Sequence, residues 1–276
     1  MLNSETQPVL YLGDTAQTAA AAYLSGVMHH AGIAFDYCPS SRPIGGDLHA
    51  ADRKLIILSD YPSAQLTPDQ HEKIVAAVAG GTGLLMIGGW ESYHGLGGDW
   101  DTSPIADLLP VTISPSDDRV NYDQTALLRT VTPNAGHPIV TGLPWDTCPP
   151  AIGGYCRFTA KPDAQVLLEV ALHQAARQGD GFNFDLKRVD PMLVVSPPER
   201  SSGAVGKGNV ACLATDAAPH WVGPFVDWGT DNDPQPSGSG RLPCQAPGAG
   251  EVEVGKDYAQ FFTQLVRWTA GLGDRA

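Results

Sequence analysis

"GTGLLMIGGWESYHGLGG", residues 81–98, holds a short apolar run, Leu84–Ile87, that breaks on two glycines into Trp90, Glu91, Ser92, Tyr93 and His94. A run of this length with no polar alternation reads as a strand buried on both faces, the mark of a parallel sheet covered by helices. A strand end loaded with polar and aromatic groups is where such sheets place their ligands.

The flanking sequence supports the same architecture. Upstream, "VLYLG" (Val9 to Gly13), "IAFDYC" and "KLIILS" (Lys54 to Ser59) read as further core strands. A helical pattern ending at Gly32 follows the first of them. Its expected buried face is Ala16, Ala20, Tyr23, Leu24, Val27 and Met28, and Asp14 with Gln17 resembles a capping box at its start. "LTPDQHEKIVAAVAGG" predicts a helix with Thr67 as N-cap, Pro68 as first residue and Gly80–Gly81 as stop. Strand and helix therefore alternate in a doubly wound, mostly parallel α/β sheet of the flavodoxin-like kind. Asp14, Asp60 with Tyr61, and the Trp90 loop all leave strands at their carboxyl ends, so they are expected to converge on one cleft.

Beyond residue 110 the pattern changes. "ALLRTVT", "GGYCRFTAK", "AQVLLEVAL" and "MLVVS" are β-like with no helix between them, which predicts an antiparallel extension of the sheet over about 110–200. Asn209 to Thr215 reads as one more core strand. Residues 229–250 read as a flexible polar loop. "YAQFFTQLVRWTAGL" closes the chain as an amphipathic helix with Tyr258, Phe261, Phe262, Leu265 and Trp268 as its apolar stripe. One decorated domain over 1–276 accounts for all of this.

The bulk composition excludes several functions. The 276 residues are 42% hydrophobic and 17% charged, as in ordinary globular proteins. Thirty acidic against 17 basic residues give a net charge of −13, which repels phosphate backbones and argues against nucleic acid. No basic amphipathic helix suggests a membrane surface, and no apolar stretch approaches the roughly 18 residues of a span. The N-terminus lacks the basic region of a signal peptide. Cys38, Cys148, Cys156, Cys212 and Cys244 are odd in number with no Cys-x-x-Cys pair, so a reducing cytoplasm is expected.

The phosphate-loop-like "GAVGKGN" (Gly203 to Asn209) has misplaced glycines and Gly208 where magnesium would need a hydroxyl. The glycines at 88–98 open no long helix, so the dinucleotide fingerprint fails and no cofactor is implied. His29 and His30 are helical neighbours about 100° apart and cannot share an ion. His94 and His220 could meet Glu91 or Asp216 in space, but no ligand spacing supports a metal site.

The more productive pairing is the Trp90 loop with "CLATDAAPHWVG" (Cys212 to Gly223). Each brings an acid (Glu91, Asp216), a histidine (His94, His220) and a tryptophan (Trp90, Trp221) after a core strand. A carboxylate that orients a histidine is half of a general-base or nucleophilic site. Equally, Asp216 could cap backbone amides while His220 packs on Trp221.

With "GGWES" after one strand and "ATD…PHW" after a late one, the chain resembles the class I glutamine amidotransferase-like superfamily, and within it the uncharacterised stand-alone members. The resemblance implies a Gly-x-Cys-x-Gly nucleophile elbow and a late His-x-Glu. Here Trp90 or Glu91 falls at the nucleophile, depending on which glycine is aligned. His220 matches the histidine, but Val222 stands where the acid would be, leaving Asp216 for that role. Three readings stay open. The first is a domain without glutaminase activity that binds a small polar molecule or a protein partner, with Asp14, Asp60, Trp90, Tyr93, His94 and Trp221 as binding residues. The second is a hydrolase or lyase using Ser92 or a water activated by His220, oriented by Asp216 or Glu91. The third is an assembly subunit, a homo-oligomer joined through Trp221, Trp228 and the 229–250 loop.

Overall fold

In the computed structural model, residues 6–197, 207–230 and 240–273 are described. In chain order the elements are β1 (Val9–Gly13), α1 (Ala21–His30), β2 (Phe35–Cys38), β3 (Leu55–Ser59), α2 (Pro68–Gly80) and β4 (Gly83–Ile87). Then come β5 (Val111–Thr112), β6 (Arg119–Thr130), β7 (Ala151–Cys156), β8 (Thr159–Ala160), β9 (Gln165–Gln178) and β10 (Gly181–Val195). The chain ends with β11 (Val210–Leu213), α3 (Pro219–Val222), the hairpin strands β12 (Arg241–Cys244) and β13 (Val252–Gly255), and α4 (Lys256–Thr269).

The main sheet has the order β2-β1-β3-β4-β11-β10-β9-β6-β7. The first five strands pair in parallel, and from β11 onward every pairing is antiparallel. The parallel half is the flavodoxin-like order 2-1-3-4-5, whose switch point lies between β1 and β3. β1, β3, β4 and β11 are buried along their whole length, as continuous apolar runs require.

The α2 boundaries follow the sequence signals. Thr67 Oγ1 accepts from the Gln70 amide at 3.2 Å and Gln70 Oε1 from the Thr67 amide at 2.9 Å, with Pro68 in the first turn and Gly81 closing the helix at φ 127°. The first helix differs from expectation. It begins only at Ala21 and carries no side-chain cap. Asp14 is not its cap, because the helix starts only at Ala21, well beyond that buried carboxyl group, one oxygen of which accepts from the Tyr11 hydroxyl. Ala16 and Ala20 precede the helix and are only half-buried, and Tyr23 is half-buried too, while Leu24, Val27 and Met28 are buried as expected. Ser25 and Gly26 are buried as well, because β12 covers the outer side of α1: a Cβ on Gly26 would lie 3.0 Å from that of Cys244.

Two other expectations are corrected. Of the 229–250 loop, residues 231–239 lie outside the described residues, but from residue 240 the chain forms an ordered hairpin of β12 and β13. The stretch around Trp221 and Trp228 is core, not interface. Trp221, Phe225 and Trp228 are buried, and Phe225 packs on Tyr258, Phe261 and Phe262 of α4. No helix among the described residues is long and apolar enough to cross a membrane.

Candidate functional site

Parallel pairing puts the carboxyl ends of β1, β3, β4 and β11 on one edge, and each end delivers an acidic or glycine-rich turn there. Asp14 follows β1 and Asp60 follows β3, both in the left-handed region at φ 50° and 49°. A short polar side chain tolerates that conformation better than most. The turns after β4 and β11 are zipped together: the Gly88 amide donates to Leu213 O at 2.8 Å and to Thr215 O at 3.1 Å. Neither Gly88 nor Gly89 has a positive φ. Glycine is needed at both for space, since a Cβ would lie 1.9 Å from Ala214 O at position 88 and 2.6 Å from Asp60 Oδ1 at position 89.

Past Gly89 the loop splits its side chains between scaffold and solvent. Ser92 is buried; its hydroxyl donates to Ile87 O at 2.6 Å and accepts from the Asp60 amide at 2.9 Å, so it staples two turns together. The Tyr93 hydroxyl is buried 3.1 Å from Met86 O and 3.0 Å from Leu213 O. His94 turns away, with Nδ1 2.8 Å from Asp101 Oδ1. Asp118 accepts from the amides of His94 and Gly95, at 3.1 Å each. Trp90 is exposed, with the Arg119 guanidinium 4.7 Å from its ring centre. Neither Asp118 nor Arg119 stands out in the sequence, because both come from β6 and its approach. Cys156 is likewise invisible as a neighbour of this loop: its buried thiol donates to Gly89 O at 3.3 Å, and its amide donates to Ala214 O at 2.8 Å.

His220 Nε2 lies 2.8 Å from Asp216 Oδ2, across one turn of chain. The other Asp216 oxygen accepts from the Ala218 amide at 3.0 Å and from the Ala217 amide. Asp216 is fully buried and the His220 side chain is half exposed. The hydrogen bond with Asp216 raises the His220 pKa, against the opposing effect of burial. Trp221 is buried instead, donating from Nε1 to Asn121 Oδ1 at 3.0 Å. Burial pushes Asp14 well above the usual carboxylate range, helped by the charges of Asp216 and Asp60. The same causes, burial first and then Asp216, raise Asp60 to about 6. Burial also raises Glu91. Burial and the charges of neighbouring carboxyl groups thus raise the proton affinity of Asp14 and Asp60 together.

The open part is a cavity of about 490 Å³, whose polar wall is Thr15, Asp60, Glu91 and His220 and whose apolar rim is Trp90 and Leu96. Of the residues singled out in the sequence, Asp60, Trp90, Glu91 and His220 meet here. Asp14 and Asp216 are buried, coupled through their charges to Asp60; Ser92, Tyr93 and Trp221 are buried in the scaffold, and His94 is tied to Asp101. A larger groove of about 700 Å³ runs by the β2 edge past His29, Asp36, Tyr37 and Arg42. Its lining holds one carboxyl group, Asp36, which is paired with Arg53, so the smaller cleft, where Asp60 and Glu91 meet His220, is the stronger candidate. His94, Asp99 and Asp101 bring three ligand-type atoms within 4.8 Å of one another, with Asp101 already engaged by His94.

Asp60 gives this electrostatics a measurable consequence. Its folded pKa of about 6 exceeds the ordinary aspartate value of 3.8, so its contribution to stability is fully present below about pH 4 and is lost as pH rises through 6. Asp60→Asn removes the ionisation and keeps an oxygen for the Glu91 amide that Asp60 Oδ1 now accepts. The variant is expected to gain about 1–3 kcal/mol on the wild type between pH 4 and pH 8, an upper range set by a shift of roughly two pKa units. Urea unfolding of both proteins across that range measures it, and a difference independent of pH would contradict the assignment.

Comparisons with known proteins agree with this frame. The family described as "Putative glutamine amidotransferase" matches residues 50–233, about two thirds of the chain. The cytoplasmic protein STM3548 from Salmonella typhimurium has a similar structure, with TM-score 0.67 and 21% identity over 95% of this chain and 98% of its own. The cytoplasmic protein STM1381 from Salmonella typhimurium LT2 is similar at TM-score 0.67 and 24% identity, with the same coverage. At these identities the likeness speaks for the fold. No curated protein matches the sequence. The family match spans α2, the β4 turn, β11 and the Asp216–His220 pair, and with the flavodoxin-like sheet order it places this chain in the class I glutamine amidotransferase-like family.

Proposed function

We propose that the chain is a family member that binds a small polar molecule in the cleft at the carboxyl ends of β1, β3, β4 and β11 and does not hydrolyse glutamine. One observation carries the reading: the turn from Gly88 to Gly95 contains no thiol. Covalent glutaminase chemistry needs a thiolate presented to substrate. Cys156, the thiol that touches this turn, is buried, and burial together with the Asp118 charge pushes its pKa well above that of a free cysteine. A cavity of about 490 Å³ suits a metabolite-sized ligand, with Trp90 as a flat wall and Asp60, Glu91 and His220 as polar anchors.

A second reading has its own support. Asp60, raised to about 6, and His220, whose proton affinity the hydrogen bond to Asp216 raises, line one cleft as potential acid and base. Ser92 takes no part in it, since both sides of its hydroxyl are engaged. The nucleophile would be a water.

Both readings meet in one assay. The purified chain, given L-glutamine, is expected to release no ammonia above a buffer control; release abolished by a thiol alkylator would overturn the first reading. Turnover of a panel of other amides and esters, bell-shaped in pH and absent from His220→Ala, would establish the second in its place.

A further inference from the structure

The strands β9 and β10 run on beyond the body of the protein. β6 accompanies β9 only as far as His173, and β11 accompanies β10 only from Leu193. Residues 174–178 and 181–188, with the turn between them, are exposed throughout, so the two strands form a projecting ribbon, which β6 still touches where Gln124 Oε1 accepts from the Ala175 amide at 2.8 Å. Alternation along β10 puts Phe182, Phe184 and Leu186 on one face, at 66%, 54% and 51% exposure. Their cross-strand partners on that face are Arg177, Ala175 and His173. The opposite face is polar, with Asn183 donating to Asp185 at 2.7 Å. A lone two-stranded ribbon is marginally stable in water, and an apolar face on one is unusual without a partner.

The direction of the ribbon is fixed by register. β10 runs antiparallel to β11, with Val195 opposite Ala211 and Leu193 opposite Leu213. Lower numbers along β10 therefore lie progressively beyond the carboxyl ends of the parallel strands, the edge at which the cleft opens. At about 3.3 Å per residue the arm reaches on the order of 30 Å past that edge. Among the described residues, the other large apolar side chains left exposed are Trp90 and Leu96, at 48% and 59%, on the cleft rim. The two patches also match in charge. Arg177 shares the apolar face of the arm with Phe182, and residues 174–188 hold three basic against two acidic residues in a chain of net charge −13. The cleft beside Trp90 presents Asp60 and Glu91.

We infer that the chain forms a two-fold homodimer in which the arm of each copy lies across the cleft rim of the other. Phe182, Phe184 and Leu186 cover Trp90 and Leu96, and Arg177 faces the carboxylates of Asp60 and Glu91. A two-fold arrangement makes the contact twice, so both apolar patches of both copies are buried in one closed assembly. Fifteen exposed residues per arm, with the rim each arm covers, approach the roughly 20–30 residues a side of a stable interface. The arm covers the rim and the acids that the proposed ligand would also meet, so the partner copy bounds that cleft, while the mass and cross-linking readouts do not depend on which molecule it binds.

Light scattering and sedimentation of the full chain are expected to give twice its 29.1 kDa mass. The double variant Phe182→Ser with Phe184→Ser is expected to be a folded monomer by circular dichroism, with a dissociation constant at least 100-fold higher. For the geometry, Cys148, the exposed native thiol, is first replaced by serine. A Phe182→Cys chain is then mixed with a Leu96→Cys chain and treated with a bis-maleimide. The expected product is a covalent dimer in the mixture that neither chain gives alone. A monomeric wild type, or a dimer untouched by the serine variant, would overturn the inference. So would cross-linking of Phe182→Cys to itself, which means arm on arm. Cross-linking within one chain carrying both cysteines, at dilutions where the wild type is monomeric, would make the arm a lid on its own cleft and overturn it equally.

Discussion

Gly88→Ala is expected to cost about 3 kcal/mol or more, at the top of the range for overpacked cores, and to disable the cleft with it. The added Cβ would sit 1.9 Å from Ala214 O and 2.6 Å from the carbonyl carbon, both backbone atoms that no rotamer change can move aside. Relief would require β4 and β11 to part at their carboxyl ends. That breaks the pair of hydrogen bonds from the Gly88 amide to Leu213 and Thr215 and shifts Asp216 and His220 away from Glu91. Gly80→Ala is the control. Position 80 is the last residue of α2, where an added methyl would meet no atom within 4 Å, and alanine there is expected to be neutral or stabilising by up to about 1 kcal/mol. Chemical denaturation of both variants checks the contrast. Equal small effects would mean that the two turns do not meet as described.

Gly88 also illustrates what a sequence can and cannot convey. The strand–glycine–turn pattern at 83–95 is local and could be read directly, as could the Thr67–Pro68 start of α2. The reason for the glycines could not, because the crowding comes from Ala214 and Asp60, distant in sequence. The same limit hides Asp118, Arg119 and Cys156, which reach the loop from β6 and β7. Residue type alone put Asp14, Ser92, Tyr93 and Trp221 forward with Asp60, Glu91 and His220. Burial sorts them, and burial depends on which neighbours the sheet order brings in. The arm escaped notice for a related reason. "FNFDLK" alternates like an ordinary half-buried strand, and only the early departure of β6 and the shortness of β11 leave its apolar face uncovered.

Phe225→Ala tests the opposite kind of misreading, and about 3–5 kcal/mol is expected to be lost. In the sequence, "PHWVGPFVDWG" carries large apolar side chains among glycines and prolines, a texture that suits an exposed contact. In the structure its short helical turns press those side chains inward. Phe225 is fully buried, with ring centres 5.4 Å from Tyr258, 5.6 Å from Phe261, 6.0 Å from Phe262 and 5.8 Å from Trp228. Truncation removes the ring and leaves a void that four other aromatic rings cannot close, and it forfeits the edge-to-face contact with Tyr258, worth more than its area. The damage should reach the cleft, because the Tyr258 hydroxyl in this cluster donates to Ala217 O, one residue after the acid that holds His220. The comparison that settles the matter is with another phenylalanine. Phe182→Ala, on the arm, is expected to leave the unfolding free energy of the isolated monomer within about half a kcal/mol, as exposed positions do. If Phe225→Ala instead spared stability and changed only self-association, the stretch would belong at a surface, and the packing of α4 against the turn that carries His220 would have to be redrawn.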